Sequence, residues 1–105
     1  MNRLALQAQV LECEALRYTP AGVPAIDLLL RHESDVEEAG HTRHLDMTMS
    51  AVALGDLALM LVSVKVGSVL AIEGFIAPTR KDSIKLRLHM QRVRILTAGD
   101  DPLVA

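Results

Sequence analysis

From residue 4 the chain alternates. Leu4, Leu6, Ala8 and Val10 are spaced by Gln7 and Gln9, with Arg3 leading in, so residues 3–13 predict a first strand with one apolar face. The segment TPAG follows, with Pro20 at the second position of a turn and Gly22 at the fourth, as a type I turn favours. From Pro24 a second strand sets Ile26, Leu28 and Leu30 on one side and Asp27, Leu29 and Arg31 on the other. HESDVEEAG reads as an acidic connection closing at Gly40. The third strand places Leu45, Met47, Met49 and Ala51 opposite His44, Asp46, Thr48 and Ser50. GDLALML predicts one or two helical turns with Asp56 as N-cap. A turn at Gly67 then leads into a fourth strand carrying Gly74 in its interior, the mark of a bulge, a bend or a close backbone approach.

The fifth strand holds Ile84, Leu86, Leu88 and Met90 against Lys85, Arg87, His89 and Gln91. Its phase then slips by one, so that Val93 and Ile95 take the apolar side and Arg92 and Arg94 the polar one, as a bulge produces. TAGDDPLVA has no period. The expected organisation is one domain over residues 1–96 and a flexible tail over 97–105. Five strands without long alternating helices predict an all-β fold, a small closed barrel or a sandwich.

Composition narrows the picture. The 105 residues are 50% apolar, yet Tyr18 and Phe75 are the only Tyr, Phe or Trp, so the core is aliphatic. Cys13 is alone, which excludes an intrachain disulfide and a cysteine metal cage and is compatible with the cytoplasm. The N-terminus lacks the apolar run of a signal peptide, and the uncharged stretch 47–63 is broken by Asp56 and too short to span a bilayer, so no membrane association is expected. His41 and His44 have no third ligand in view, and no nucleotide-loop, nucleophile-elbow or zinc-protease motif occurs. Neither an enzyme nor a cofactor is expected.

Charge is polarised. The formal net charge is −2, yet six of eleven Lys and Arg fall in RKDSIKLRLHMQRVR, residues 80–94, while Glu33, Asp35, Glu37 and Glu38 crowd the acidic connection. A local basic surface of this kind attracts phosphate whatever the sign of the whole.

NRLALQAQV, LRYTPAGVPAIDLLLRHESDVEEAG, VGSVLAIEGFIA and KLRLHMQRVRIL resemble, over nearly all of the chain, the primosomal replication protein N (PriB) family, small bacterial relatives of single-stranded DNA-binding protein. The resemblance implies a five-stranded oligonucleotide/oligosaccharide-binding (OB) barrel. It also implies a homodimer that binds single-stranded DNA with little sequence preference, assists the PriA helicase in replication restart, and in some members meets DnaT. Carried onto this chain, the loop after the first strand is 17–23 and the loop after the fourth is 78–83. The expected DNA-binding residues are Arg17, Tyr18, Arg31, Arg43, His44, Arg80, Lys81, Lys85 and Arg87. Two positions depart from relatives: Asp46 stands where some have a tryptophan, and Tyr18 where some have a lysine. Few stacking platforms and a carboxylate on the expected DNA face support an alternative, an OB-fold interaction module that binds the helicase and has only weak DNA affinity.

Overall fold

The computed structural model describes residues 1–99. The elements run β1 (Leu4–Cys13), β2 (Arg17–Tyr18), β3 (Pro24–Glu38), β4 (His41–Leu54), α1 (Asp56–Leu61), β5 (Val69–Pro78) and β6 (Leu86–Thr97). β1 pairs antiparallel with β5 from Leu4 to Gln9, then with β3 from Gln9 to Cys13, shifting register between Val10 and Glu12. β3 pairs with β4, β4 runs parallel to β6 through Ala51–Leu88 and Val52–His89, and β6 returns to β5. The circuit β1–β5–β6–β4–β3–β1 is therefore closed, which is the OB barrel, with the two-residue β2 added at the margin of β3.

The alternation read from the sequence sets the core. Val10, Ile26, Leu28, Leu30, Ala51, Ala53, Leu70, Ile72, Leu88 and Met90 point inward and are buried, and Ala58 and Leu61 of α1 join them. The turn over 19–22 closes with the Gly22 amide donating to the Thr19 carbonyl at 2.8 Å. The phase slip is also present: Gly74 pairs with Met90 and Glu73 with Arg92, leaving Gln91 as the extra residue of a bulge. At this bulge β5 and β6 come so close that a Cβ on Gly74 would lie 2.0 Å from the His89 carbonyl oxygen.

Several expectations are corrected. HESDVEEAG is not a connection. β3 continues through it to Glu38 and pairs with β4 as far as His41, making a hairpin arm that turns on Ala39 and Gly40, both at positive φ (53° and 79°). Beyond the barrel both faces of the arm meet water, so both carry polar residues and the period-2 signal fades. The 17–23 segment is not all loop, because Arg17 and Tyr18 pair with Ala25 and Pro24. The N-cap of α1 is Gly55, at φ 72°, and Asp56 is its first helical residue. Ile84 (96% exposed) and Leu86 (59%) do not face the core, because β6 begins at Leu86 and the preceding residues, Lys85 included, belong to the loop. At the other end β6 runs to Thr97, and the Gly99 amide donates to the Oγ of buried Ser68 at 2.9 Å. The rest of the expected tail, 100–105, lies outside the described residues.

Gly74→Ala should force the β5–β6 bulge apart, since the obstructing atom is backbone. The expected loss is about 1–3 kcal/mol, the usual cost of overpacking, read as a lower urea midpoint.

Candidate nucleic-acid interface

The outward side chains of β3 alternate with the core, and the antiparallel register sets them against β4. Asp27 lies opposite Val52, Leu29 opposite Ser50, Arg31 opposite Thr48, Glu33 opposite Asp46 and Asp35 opposite His44. β6 continues this face with Arg87 and His89, and β5 with Ala77 and Phe75. One outward sheet face thus receives Arg31, His44 and Arg87, is reached by Arg17 through Asp27, and borders the β5–β6 loop that carries Arg80, Lys81 and Lys85, whereas Arg43 pairs with Val36 on the other side of the arm.

Near the barrel's middle, Asp27 holds two arginines. Arg17 Nε donates to Asp27 Oδ2 at 2.7 Å, Arg17 Nη2 to Oδ1 at 3.2 Å, and Arg87 Nη1 to Oδ1 at 3.3 Å. This carboxylate, on β3, ties β2 to β6 across the intervening β4, and the pairing raises the Arg17 guanidinium further above its ordinary range. Arg87 is only 24% exposed, and its Nε is buried with no hydrogen-bond partner among the described residues.

Further along, Arg31 grips Asp46 bidentately at 3.0 and 2.8 Å and meets Glu33 at 3.0 Å. The hydrogen bonds from Arg31 hold the Asp46 carboxyl below the usual range. Asp46 does lie on the expected face, but as the partner of Arg31. On the arm, His44 sits 2.9 Å from Asp35 and 3.4 Å from Glu33, and Arg43 reaches Glu38 at 3.3 Å. The acid-rich segment therefore neutralises the arm's own cations.

The loop between β5 and β6 differs. The Thr79 amide donates to the Lys85 carbonyl at 2.9 Å and the Ser83 amide to the Arg80 carbonyl at 3.0 Å, with Asp82 at φ 65°. This bonding shapes the loop, and Arg80, Lys81 and Lys85 stand exposed on it. Among the described residues none of the three makes an ion pair, whereas Arg17, Arg31, Arg43 and Arg87 all do. Tyr18 is 62% exposed beside this face.

Two features were not anticipated. Asp27 was read only as an outward position of the second strand, and its role depends on Arg87, 60 residues away. Phe75 and His89 pair directly across β5 and β6, with ring centroids 4.9 Å apart and planes 12° from parallel. Burial, and secondarily Arg87, lowers the His89 pKa. Gly74 marks the place in the sequence, since it lies against the His89 backbone one residue before Phe75, and the direct pairing of Phe75 with His89 sets the two rings side by side. Among the described residues no group of three or more His, Cys, Asp or Glu is arranged to hold a metal ion.

Comparison with known proteins agrees with this geometry. A family model described as another single-strand binding protein family matches residues 2–92. Among curated relatives, the Replication restart protein PriB of Bordetella pertussis is 57% identical, with 99% of each chain covered. That of Photorhabdus laumondii is 35% identical over 94% of this chain and 97% of its own. The solved structure of PriB from Ralstonia solanacearum superposes with a TM-score of 0.83 at 33% identity, covering 91% of this chain and 98% of that one. A single-stranded DNA-binding protein from Thermus aquaticus shares the fold, with a TM-score of 0.73 at 23% identity over 91% of this chain and 50% of its own.

The histidines provide a test of the charge arrangement. Hydrogen bonding to Asp35 raises the pKa of His44, so that pairing stabilises the arm below the ordinary histidine value of about 6.5 and is lost as pH rises through the raised value. His89 is shifted the other way. Imidazole NMR titration should give His44 a midpoint above, and His89 a midpoint below, that of a free histidine. Asp35→Asn should lower the His44 midpoint and leave His89 unmoved.

Proposed function

The chain belongs to the replication restart protein PriB family, within the single-strand binding proteins, and on that premise we propose that it is a non-enzymatic single-stranded DNA-binding protein of replication restart. The reading is carried by one observation: three loop cations, Arg80, Lys81 and Lys85, without ion pairs among the described residues, at the border of an OB-barrel face. A free cation releases a phosphate counterion at no cost to an existing contact, whereas Arg17, Arg31 and Arg87 must first leave a carboxylate. The loop makes the first contact and the matched arginines follow where phosphate displaces their partners. The only helix among the described residues, α1, has six residues, so those residues offer no long helix to a duplex major groove. Single strands are therefore preferred over duplex.

The partners proposed are single-stranded DNA, the PriA helicase, DnaT and a second copy of this chain, in the cytoplasm. Self-association is supported by the edge of β1. From Leu4 to Ala8 one side pairs with β5 while the other has no strand neighbour among the described residues, and an open edge of this kind invites another strand. His32 touches that edge at one point, with its Nδ1 2.6 Å from the Gln7 carbonyl. Exposed Leu59 and Met60 on α1 add apolar surface for a partner to cover.

A second reading has its own observation. Four arginines are already matched by acids, and the arm is acid-rich, which favours an OB-fold interaction module for the helicase with weak affinity for DNA.

Titration of a mixed-sequence single strand across salt concentrations separates the two. For four to six phosphate contacts the log-affinity against log-salt slope is expected at about −3 to −4, from about −0.7 per contact. Reversing the charges of Arg80, Lys81 and Lys85 should weaken binding strongly and flatten the slope by about 2. Asp46→Asn should strengthen binding slightly by removing one of the two carboxylates that hold Arg31, Glu33 being the other. A steep slope left intact by the triple reversal would reject the loop as the main contact, and negligible binding by the unaltered chain would favour the interaction module.

Light scattering at micromolar concentration should give twice the 11.4 kDa chain mass, and a clean monomer would reject self-association.

A further inference from the structure

The cations explain attraction to phosphate but not how a base is held, and the outward face offers a feature they do not use. Phe75 and His89 stack across β5 and β6 on that face, both only partly buried. With Val52, Leu54 and Leu57 they line a depression of about 300 Å³. Aliphatic groups on one side and a flat aromatic pair on another, with Gln91 also at the lining, form a mostly apolar wall that suits a planar ring and discriminates little between bases.

Its position supplies the occupant. His89 lies two residues from Arg87 on β6, about 7 Å along a strand. Arg87 in turn shares Asp27 with Arg17. A backbone phosphate drawn to these guanidinium groups therefore brings its neighbouring nucleoside to the rings. Burial and the nearby Arg87 keep the His89 imidazole neutral near pH 7, so its ring acts as a π surface and not as a further cation.

We infer that the Phe75–His89 pair, with Leu54 and Leu57 beside it, is a stacking subsite for a nucleobase of the bound single strand. This rests on the single-strand-binding reading above and adds to its account of affinity: a base-dependent contribution accompanies the counterion one.

The test compares two strands of equal length, oligothymidylate and the same backbone with abasic sugars, binding to the unaltered chain and to Phe75→Leu. The unaltered chain is expected to prefer the base-bearing strand. Phe75→Leu should lower affinity for that strand roughly fivefold or more, at the lower end of the range for one lost stack, while abasic binding and the salt slope stay unchanged. Equal losses on both strands, or a loss accompanied by halving of the particle mass, overturn the inference, the latter because the patch would then be a self-contact. A second measurement uses the unaltered protein, so it does not depend on the variant folding. Photocrosslinking of a 5-iodouracil strand, mapped by mass spectrometry, should label Phe75 or His89, and labelling confined to Tyr18 and residues 79–85 overturns the subsite. Failure of the unaltered chain to bind either strand would defeat the single-strand reading itself. Binding that ignores the bases defeats the subsite alone.

Discussion

A strand has two edges, and β1 divides its ten residues between neighbours so that the sheet can close. Up to Gln9 it pairs with β5; from Gln9 onward it pairs with β3, and the register shift between Val10 and Glu12 bends it from one to the other. Without that bend the sheet would stay open, and the inward aliphatic residues would lack a facing wall. Because the core has no large ring to fill space, it relies on many small inward contacts held at fixed register. Gly74 plays the matching part on the opposite side. It lets β5 and β6 approach closely enough to keep Ile76 and Leu88 inward before the bulge and Ile72 and Val93 inward after it.

Closing the barrel also orders the charges. Residues far apart in the chain become neighbours only because β3, β4 and β6 lie side by side. Their carboxylates then neutralise Arg17, Arg31 and Arg87 on the outward face, while the loop cations at its border have no carboxylate partner among the described residues. A chain with a net charge of −2 can thus present phosphate with a local positive surface while the β3–β4–β6 face beside it is largely self-compensated.

The barrel strands were legible because each has one wet and one dry face, and the bulge was legible as a break in that rhythm. The arm was not, since polar residues on both faces of a two-stranded ribbon look like a loop. Ile84 and Leu86 show the converse limit: alternation continues past the end of the barrel, where there is no core to face. For the site, the positions of the cations could be read, but their engagement could not. Arg31 meets Asp46 across 15 residues and Arg87 meets Asp27 across 60, and such pairings exist only once strand register is known. The Phe75–His89 stack was hidden for the same reason, although Gly74 had marked the place where the two strands crowd together.

The bond between Gly99 and Ser68 has a practical consequence. Ser68 lies just before β5, and the 79–85 loop follows the far end of that ten-residue strand, about 33 Å away at ordinary strand rise. A linker or dye attached at Gly99 is therefore anchored at the opposite end of the β5–β6 hairpin from the basic loop. A tether held at Gly99 leaves the loop turned toward whatever flows past.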